Sequence, residues 1–161
     1  MSSIRIYPDA VLQERAKEVK DFNNMGELTE RMLEIMADSE GIGLAANQIG
    51  IASQVIVGRV EKEPIILINP IIKEAKGEDL LEEGCLSIPD TSVEIARAES
   101  LVVQGFDPDG EEIEYELKGL EARVIQHEID HLNGILIVDY LSKKEMLRFQ
   151  LEYGKKRKEN Q

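Results

Sequence analysis

The residues best equipped for chemistry are the chain's two histidines, and both fall in one window, His127-Glu128-Ile129-Asp130-His131. Side chains four residues apart on a helix lie one above the other on the same face, so both imidazoles can reach one cation. At about 100° per residue, Leu120, Val124, His127 and His131 form a narrow stripe, with Ile125, Ile129 and Leu132 on the adjoining flank and Glu128 between the two groups. Arg123, Gln126, Asp130 and Asn133 fall on the far side, where solvent is expected. A buried imidazole needs partners for both ring nitrogens. Two of them stacked in an apolar stripe point to a shared metal ion, with Glu128 placed to manage the proton of a water that the cation activates.

The elements that must position this window are legible in outline. Met25, Leu28, Met32, Ile35 and Met36 recur at helical spacing and predict a helix from Met25 to Asp38, with Asn24 and Glu27 as its cap pair and Gly41 as its end. Gly41-Ile-Gly-Leu-Ala-Ala-Asn-Gln-Ile-Gly50 is rich in small residues, which lets a backbone approach a neighbour closely, but it lacks the Gly-Lys-Ser/Thr ending of a phosphate loop. Strands are expected at Gln54–Val57, at Pro64–Ile68 (closed by Asn69-Pro70), at Val93–Ala96 and at Ser100–Phe106. Residues 71–73 and 79–81 flank Gly77 like a hairpin. Asp107-Pro-Asp-Gly110 is a turn, and the strand after it alternates, with Ile113, Tyr115 and Leu117 inward and three glutamates outward. Gly134 stops the histidine helix, Ile135–Tyr140 reads as a last strand, and Ser142 with Glu145 opens a terminal helix. The expected architecture is α+β: antiparallel sheets wrapped around a central helix, with one helix near each end of a single domain spanning 1–161.

Composition bounds the function. Apolar residues make up 42% and charged residues 32%, an ordinary globular balance. The net charge of −13 argues against general nucleic-acid binding, DNA included. No apolar run reaches the length of a membrane span, the opening Met1-Ser-Ser-Ile-Arg-Ile does not read as a signal or transit peptide, and a lone cysteine fits a reducing cytoplasm. Residues 142–161 hold seven Lys/Arg against three Glu, a basic helix on an otherwise acidic chain.

A catalytic metal usually takes three protein ligands. With no histidine left, the third is a cysteine or a carboxylate. Cys85, in Glu83-Gly-Cys-Leu-Ser87, sits beside a glycine and away from any apolar periodic run, which suits a ligand better than an inert core thiol.

Three segments together, Gly41-Ile-Gly-Leu-Ala-Ala-Asn-Gln48, Glu83-Gly-Cys-Leu-Ser87 and Gln126-His-Glu-Ile-Asp-His131, resemble the motifs of peptide deformylases, in order and across most of the chain. The resemblance implies a metal-dependent hydrolase that removes the formyl group from the initiator methionine of nascent polypeptides. It implies Cys85, His127 and His131 as ligands of one divalent ion, Fe2+ by family habit, with Ni2+, Co2+ or Zn2+ able to substitute. Water activated by that ion attacks the formyl carbonyl, with Glu128 as general base and then acid, and with the Gln48 amide and Leu86 N–H at the oxyanion. By the same analogy Ile42, Gly43 and Gly84 pair with the substrate backbone, while Ile42, Leu86, Leu120 and Val124 line the methionine pocket. Glu83, Arg97 and Asp130 are candidates to orient ligands. Two departures stand out: Asn47 where many relatives have proline, and Ser92 where some carry a basic residue.

Two other functions compete. An HExxH endopeptidase would take Glu145 or Glu152 as third ligand and would not need Cys85. A catalytically silent module with a closed structural zinc would need neither Glu128 nor Gln48. The basic terminal helix also suggests docking to ribosomal RNA, where nascent chains emerge.

Overall fold

The computed structural model describes residues 4–61 and 63–159. Met1–Ser3 of the N-terminal reading and Asn160–Gln161 of the terminal helix lie outside them. Among the described residues, three α-helices and seven strands follow one another as α1 (Met25–Asp38), β1 (Gly43–Ala45), β2 (Val55–Gly58), β3 (Ile65–Lys76), β4 (Asp79–Cys85), β5 (Ile88–Arg97), β6 (Ser100–Phe106), β7 (Glu112–Lys118), α2 (Gly119–Leu132) and α3 (Lys143–Glu159). The strands form an antiparallel five-stranded sheet in the order β1-β2-β3-β6-β7 and a separate antiparallel ribbon, β4-β5. The α+β expectation holds.

Strand alternation decides where each helix packs. Successive side chains of a strand point to opposite faces. Val55, Val57 and Ile68 therefore meet Met32 and Met36 of α1 on one face. Ile56, Leu67 and Val103 meet Ala122, Ile125 and Leu132 of α2 on the other. A third cluster joins Val93 and Ile95 of the ribbon to Leu136, Ile137, Val138 and Tyr153. Helix α2 is thus held by the large sheet on one side and meets the ribbon on another.

Several sequence expectations need correction. Gly77 does not join a hairpin: β3 pairs with β2 and β6, while β4 leaves for β5. Asn69-Pro70 does not close its strand either. β3 continues through a bulge, with Asn69 at φ 55° and its side chain bonding both the N–H and the C=O of Val19 at 2.8 Å. Asn24 takes a left-handed backbone (φ 72°) and makes no side-chain cap, so Glu27 has no cap partner there. Residues 137–140 form a 3-10 turn, not a strand, because Asp139 turns back to accept from Leu136 N at 2.8 Å. The Ser142/Glu145 capping box is present, with both reciprocal bonds (3.0 and 3.2 Å). α2 ends in the Schellman pattern: Ile135 N–H reaches Asp130 O at 2.9 Å, Gly134 N–H reaches His131 O at 3.0 Å, and Gly134 holds φ 74°.

Candidate active site

His127 and His131 project from α2 with ring centroids 5.0 Å apart, and Cys85 ends β4 with its Sγ 3.4 Å from His131 Nε2. One donor atom from each of these three residues lies within 4.8 Å of the other two. Two separate parts of the fold, ribbon and helix, therefore converge on one point. The remaining nitrogen of His127, Nδ1, sits 2.8 Å from Glu83 Oε1, which leaves Nε2 for the site. His131 is fully enclosed, and burial, reinforced by the charges of His127 and Arg97, pushes its pKa well below the ordinary imidazole value. It stays neutral, as a ligand must.

Glu128 is buried and lines the same cavity, with Oε1 lacking any hydrogen-bond partner among the described residues. Burial, helped by the negative charges of Glu83 and Asp130 and resisted by His127 and Arg97, lifts its carboxyl to about 7. His127 goes the other way from His131. Burial opposes its protonated form, yet Glu128, Cys85 and Glu83 raise its pKa well above 6.5. A thiol, two imidazoles and a carboxylate thus share one pocket. That donor set fits a divalent cation of the borderline-soft kind.

The other side of the cavity is built by residues 41–48. Gly43 lies tight against the helix: a Cβ there would overlap Glu128 Oε2 and come within 2.8 Å of Val124 Cγ1 unless those side chains shift. Gln48 is buried, and its Oε1 accepts from Ala45 N at 2.9 Å, so the amide cannot flip. Its Nε2 points at Ser87 Oγ (3.1 Å) and Cys85 Sγ (3.7 Å). Asn47, the departure from proline, is fully buried and donates to Glu14 O at 3.0 Å, so a side-chain tether holds the loop. The cavity, about 560 Å3, is lined among others by Ile42, Gly43, Gly84, Leu86, Leu120 and Val124, together with Ser92. Leu120, unlike the rest of the predicted stripe, is nearly half exposed, as is Ile42 on the facing segment.

Behind the histidines lies a charged network. Glu83 accepts a two-pronged bond from Arg97 (both 2.9 Å), and Arg97 also meets Asp130 at 2.6 Å and Tyr140 Oη at 3.2 Å. Burial would raise the Glu83 carboxyl, but Arg97 and His127 hold it down at about 2. Glu83, Arg97 and Asp130, each a sequence candidate to orient a ligand, are linked in one network. Arg123 corrects the helical-wheel expectation. It is buried, not solvated, and bonds Glu83 Oε2 at 2.5 Å. Gln126 likewise bonds both backbone groups of Ala98, each at 2.9 Å. The wheel placed these residues outside because periodicity along α2 cannot reveal that the ribbon covers its second flank. Glu145, exposed on the first turn of α3, bonds Ser142 and is not part of the trio.

Two histidines of an HExxH helix and Cys85 at the end of β4, beside a buried carboxylate, form a group that could hold a metal ion, the kind of site a metallohydrolase uses. The model of the polypeptide deformylase family matches residues 1–146. The chain belongs to that family and is an enzyme. It is 44% identical over 155 residues to peptide deformylase of Thermodesulfovibrio yellowstonii, covering 90% of this chain and 93% of that one. It is 46% identical to the Thermotoga maritima enzyme, covering 94% of each. The crystal structure of a peptide deformylase from Legionella pneumophila superposes with a TM-score of 0.92 at 36% identity, covering 99% of this chain and 97% of that one. The Thermotoga maritima crystal structure gives 0.84, covering 88% and 98%.

Proposed function

We propose that this chain hydrolyses the formyl group from formyl-methionyl nascent peptides, releasing formate, through a metal held by Cys85, His127 and His131. The observation that carries the reading is the meeting of those three donors beside the unpartnered Glu128 oxygen. A divalent cation bound there supplies Lewis acidity, which acidifies water and polarises a carbonyl. Iron is the expected native metal, with nickel, cobalt or zinc as substitutes.

The residues divide the work. Glu128 takes the proton of the attacking water, and its pKa near neutrality lets it return that proton to the nitrogen as the C–N bond breaks. Gln48 Nε2, held by the Ala45 bond, donates to the oxygen that becomes negative, with Leu86 N–H as the second donor. Ile42, Gly43 and Gly84 present backbone for an extended peptide. Ile42, Leu86, Leu120 and Val124 receive the unbranched methionine side chain. Glu83, Arg97 and Asp130 hold His127 and the helix in register.

The reading treats residues 1–161 as one deformylase unit, cytoplasmic, with the basic α3 as a ribosome-facing element. No helix of the described residues is long and apolar enough to cross a membrane. Lys143, Lys144, Lys155 and Lys156 are all exposed, so their charge is free for a polyanion. Changing Lys144 and Lys155 to Glu should weaken ribosome binding and flatten its salt dependence; unchanged binding removes this role.

The deciding experiment measures formate release from formyl-Met-Ala-Ser by anaerobically prepared protein with its metal counted, beside Glu128→Ala. Release that needs both metal and Glu128 is the expected result. No release at full metal occupancy would instead favour a silent metal-binding module.

A further inference from the structure

We infer that Arg123 is a positioning residue for the metal-binding trio, fixing the Glu83 carboxylate that orients His127 and tying the strand that carries Cys85 to the helix that carries both histidines. The inference rests on the reading of Cys85, His127 and His131 as a metal site.

The geometry is specific. Arg123 and His127 are one helical turn apart on α2, and both reach the same carboxylate. Glu83 Oε1 accepts from Arg97 Nη2 and meets His127 Nδ1; Oε2 accepts from Arg97 Nε and Arg123 Nη1. A carboxylate offers about four lone-pair sites, so the group is saturated and cannot swing. Arg97 reaches Asp130 of α2 through Nη1 but holds Glu83 from β5, within the same ribbon. Arg123 grips it from the helix. Its guanidinium also donates to Ile95 O at 3.0 Å and Asp79 O at 2.6 Å, one carbonyl on each ribbon strand. Asp79 opens β4 and Cys85 closes it. One planar fork therefore spans both strands and the carboxylate, a task that suits arginine and not lysine.

Without Arg123 a buried carboxylate oxygen keeps one donor and two strand carbonyls lose theirs. Glu83 gains freedom to rotate, and the hydrogen bond that sets the His127 ring loosens with it. Loss of such a supporting partner typically weakens metal affinity by about 10–100-fold.

The test compares wild type, Arg123→Met, Arg123→Lys and Glu83→Gln, alone and as the double variant Glu83→Gln/Arg123→Met. The readouts are Co2+ affinity by chelator competition, the visible spectrum of the Co2+ form, and thermal unfolding of the metal-free protein. Arg123→Met should bind Co2+ about 10–100-fold more weakly with an altered spectrum, and Arg123→Lys should fall in between. In the Glu83→Gln background the arginine change should add little, since both act through one group. Wild-type affinity and spectrum in Arg123→Met, or full additivity in the double variant, overturns the proposal. If Arg123→Met does not fold, Arg123→Lys decides: an unchanged spectrum and affinity overturn it. Wild-type protein that binds no Co2+, or Cys85→Ala that binds it fully, would instead overturn the site reading itself.

Discussion

Gln48 shows how much chemistry hangs on one orientation. Its carbonyl oxygen is spent on Ala45 N–H, so only the NH2 end can face the thiol and whatever binds beside it. Gln48→Ala should lower kcat by about 100- to 1000-fold, the usual cost of losing one oxyanion donor, with KM much less affected. Steady-state kinetics at matched metal content checks this. Gly43→Ala tests the opposite wall. The new methyl would press on Glu128 and Val124, so activity should fall at least about tenfold, as small misplacements of reacting groups do, while metal content holds. At this scale the sequence was informative wherever chemistry needs unusual residues together: the two histidines, Glu128 and the glycine-flanked Cys85 stand out on spacing alone. Arg123 did not, because a charge at a presumed solvent-facing helix position carries no mark of burial. Only the ribbon, brought in from residues 79–97, makes it an interior residue.

Among elements, the chain advertises helices and strands better than it advertises their partners. The 25–38 helix and the 112–118 strand were legible because periodicity is local. The pairing of β3 with β6 rather than β4 was not, because register is settled by which faces find a core. The 3-10 turn at 137–140 reads as strand for a similar reason: its Ile and Val are buried either way. That turn supplies a pH test. Burial, then the bond to Asp130, raises the Tyr140 hydroxyl from 10 to about 12. A raised pKa means the neutral phenol is favoured when folded, so its contribution is complete below pH 10 and is lost as pH climbs from 10 towards 12. Tyr140→Phe should lack this part of the alkaline fall in stability. Melting curves of the two proteins across pH 9–12 check it, and parallel curves would contradict it. Gly134→Ala probes the helix end. With φ at 74° and a Cβ only 2.5 Å from Gln13 O, it should cost roughly 1–3 kcal/mol, the range for a strained backbone position.

At the scale of the molecule, α3 is not a loose charged tail. Tyr153 packs against Phe149 (5.1 Å) and Tyr7 (5.5 Å) and donates to Tyr7 O at 3.0 Å, closing the two ends of the chain on each other. Tyr153→Ala should therefore destabilise by about 3 kcal/mol, in line with removal of large core aromatics, without changing the salt dependence of ribosome binding. Chemical denaturation beside binding at two ionic strengths separates this packing role from the proposed docking. The meeting of ribbon and helix at the trio has one more consequence. A two-stranded ribbon is marginal by itself, and this one meets α2 largely through charged side chains. It is therefore a candidate for a unit that opens on its own, below the free energy of global unfolding. In metal-free protein, amide protons of β4 should exchange with solvent earlier than those of β2 and β3. Adding metal in excess should bring the two sets together, because a ligand bound across the seam must be released before the ribbon can lift.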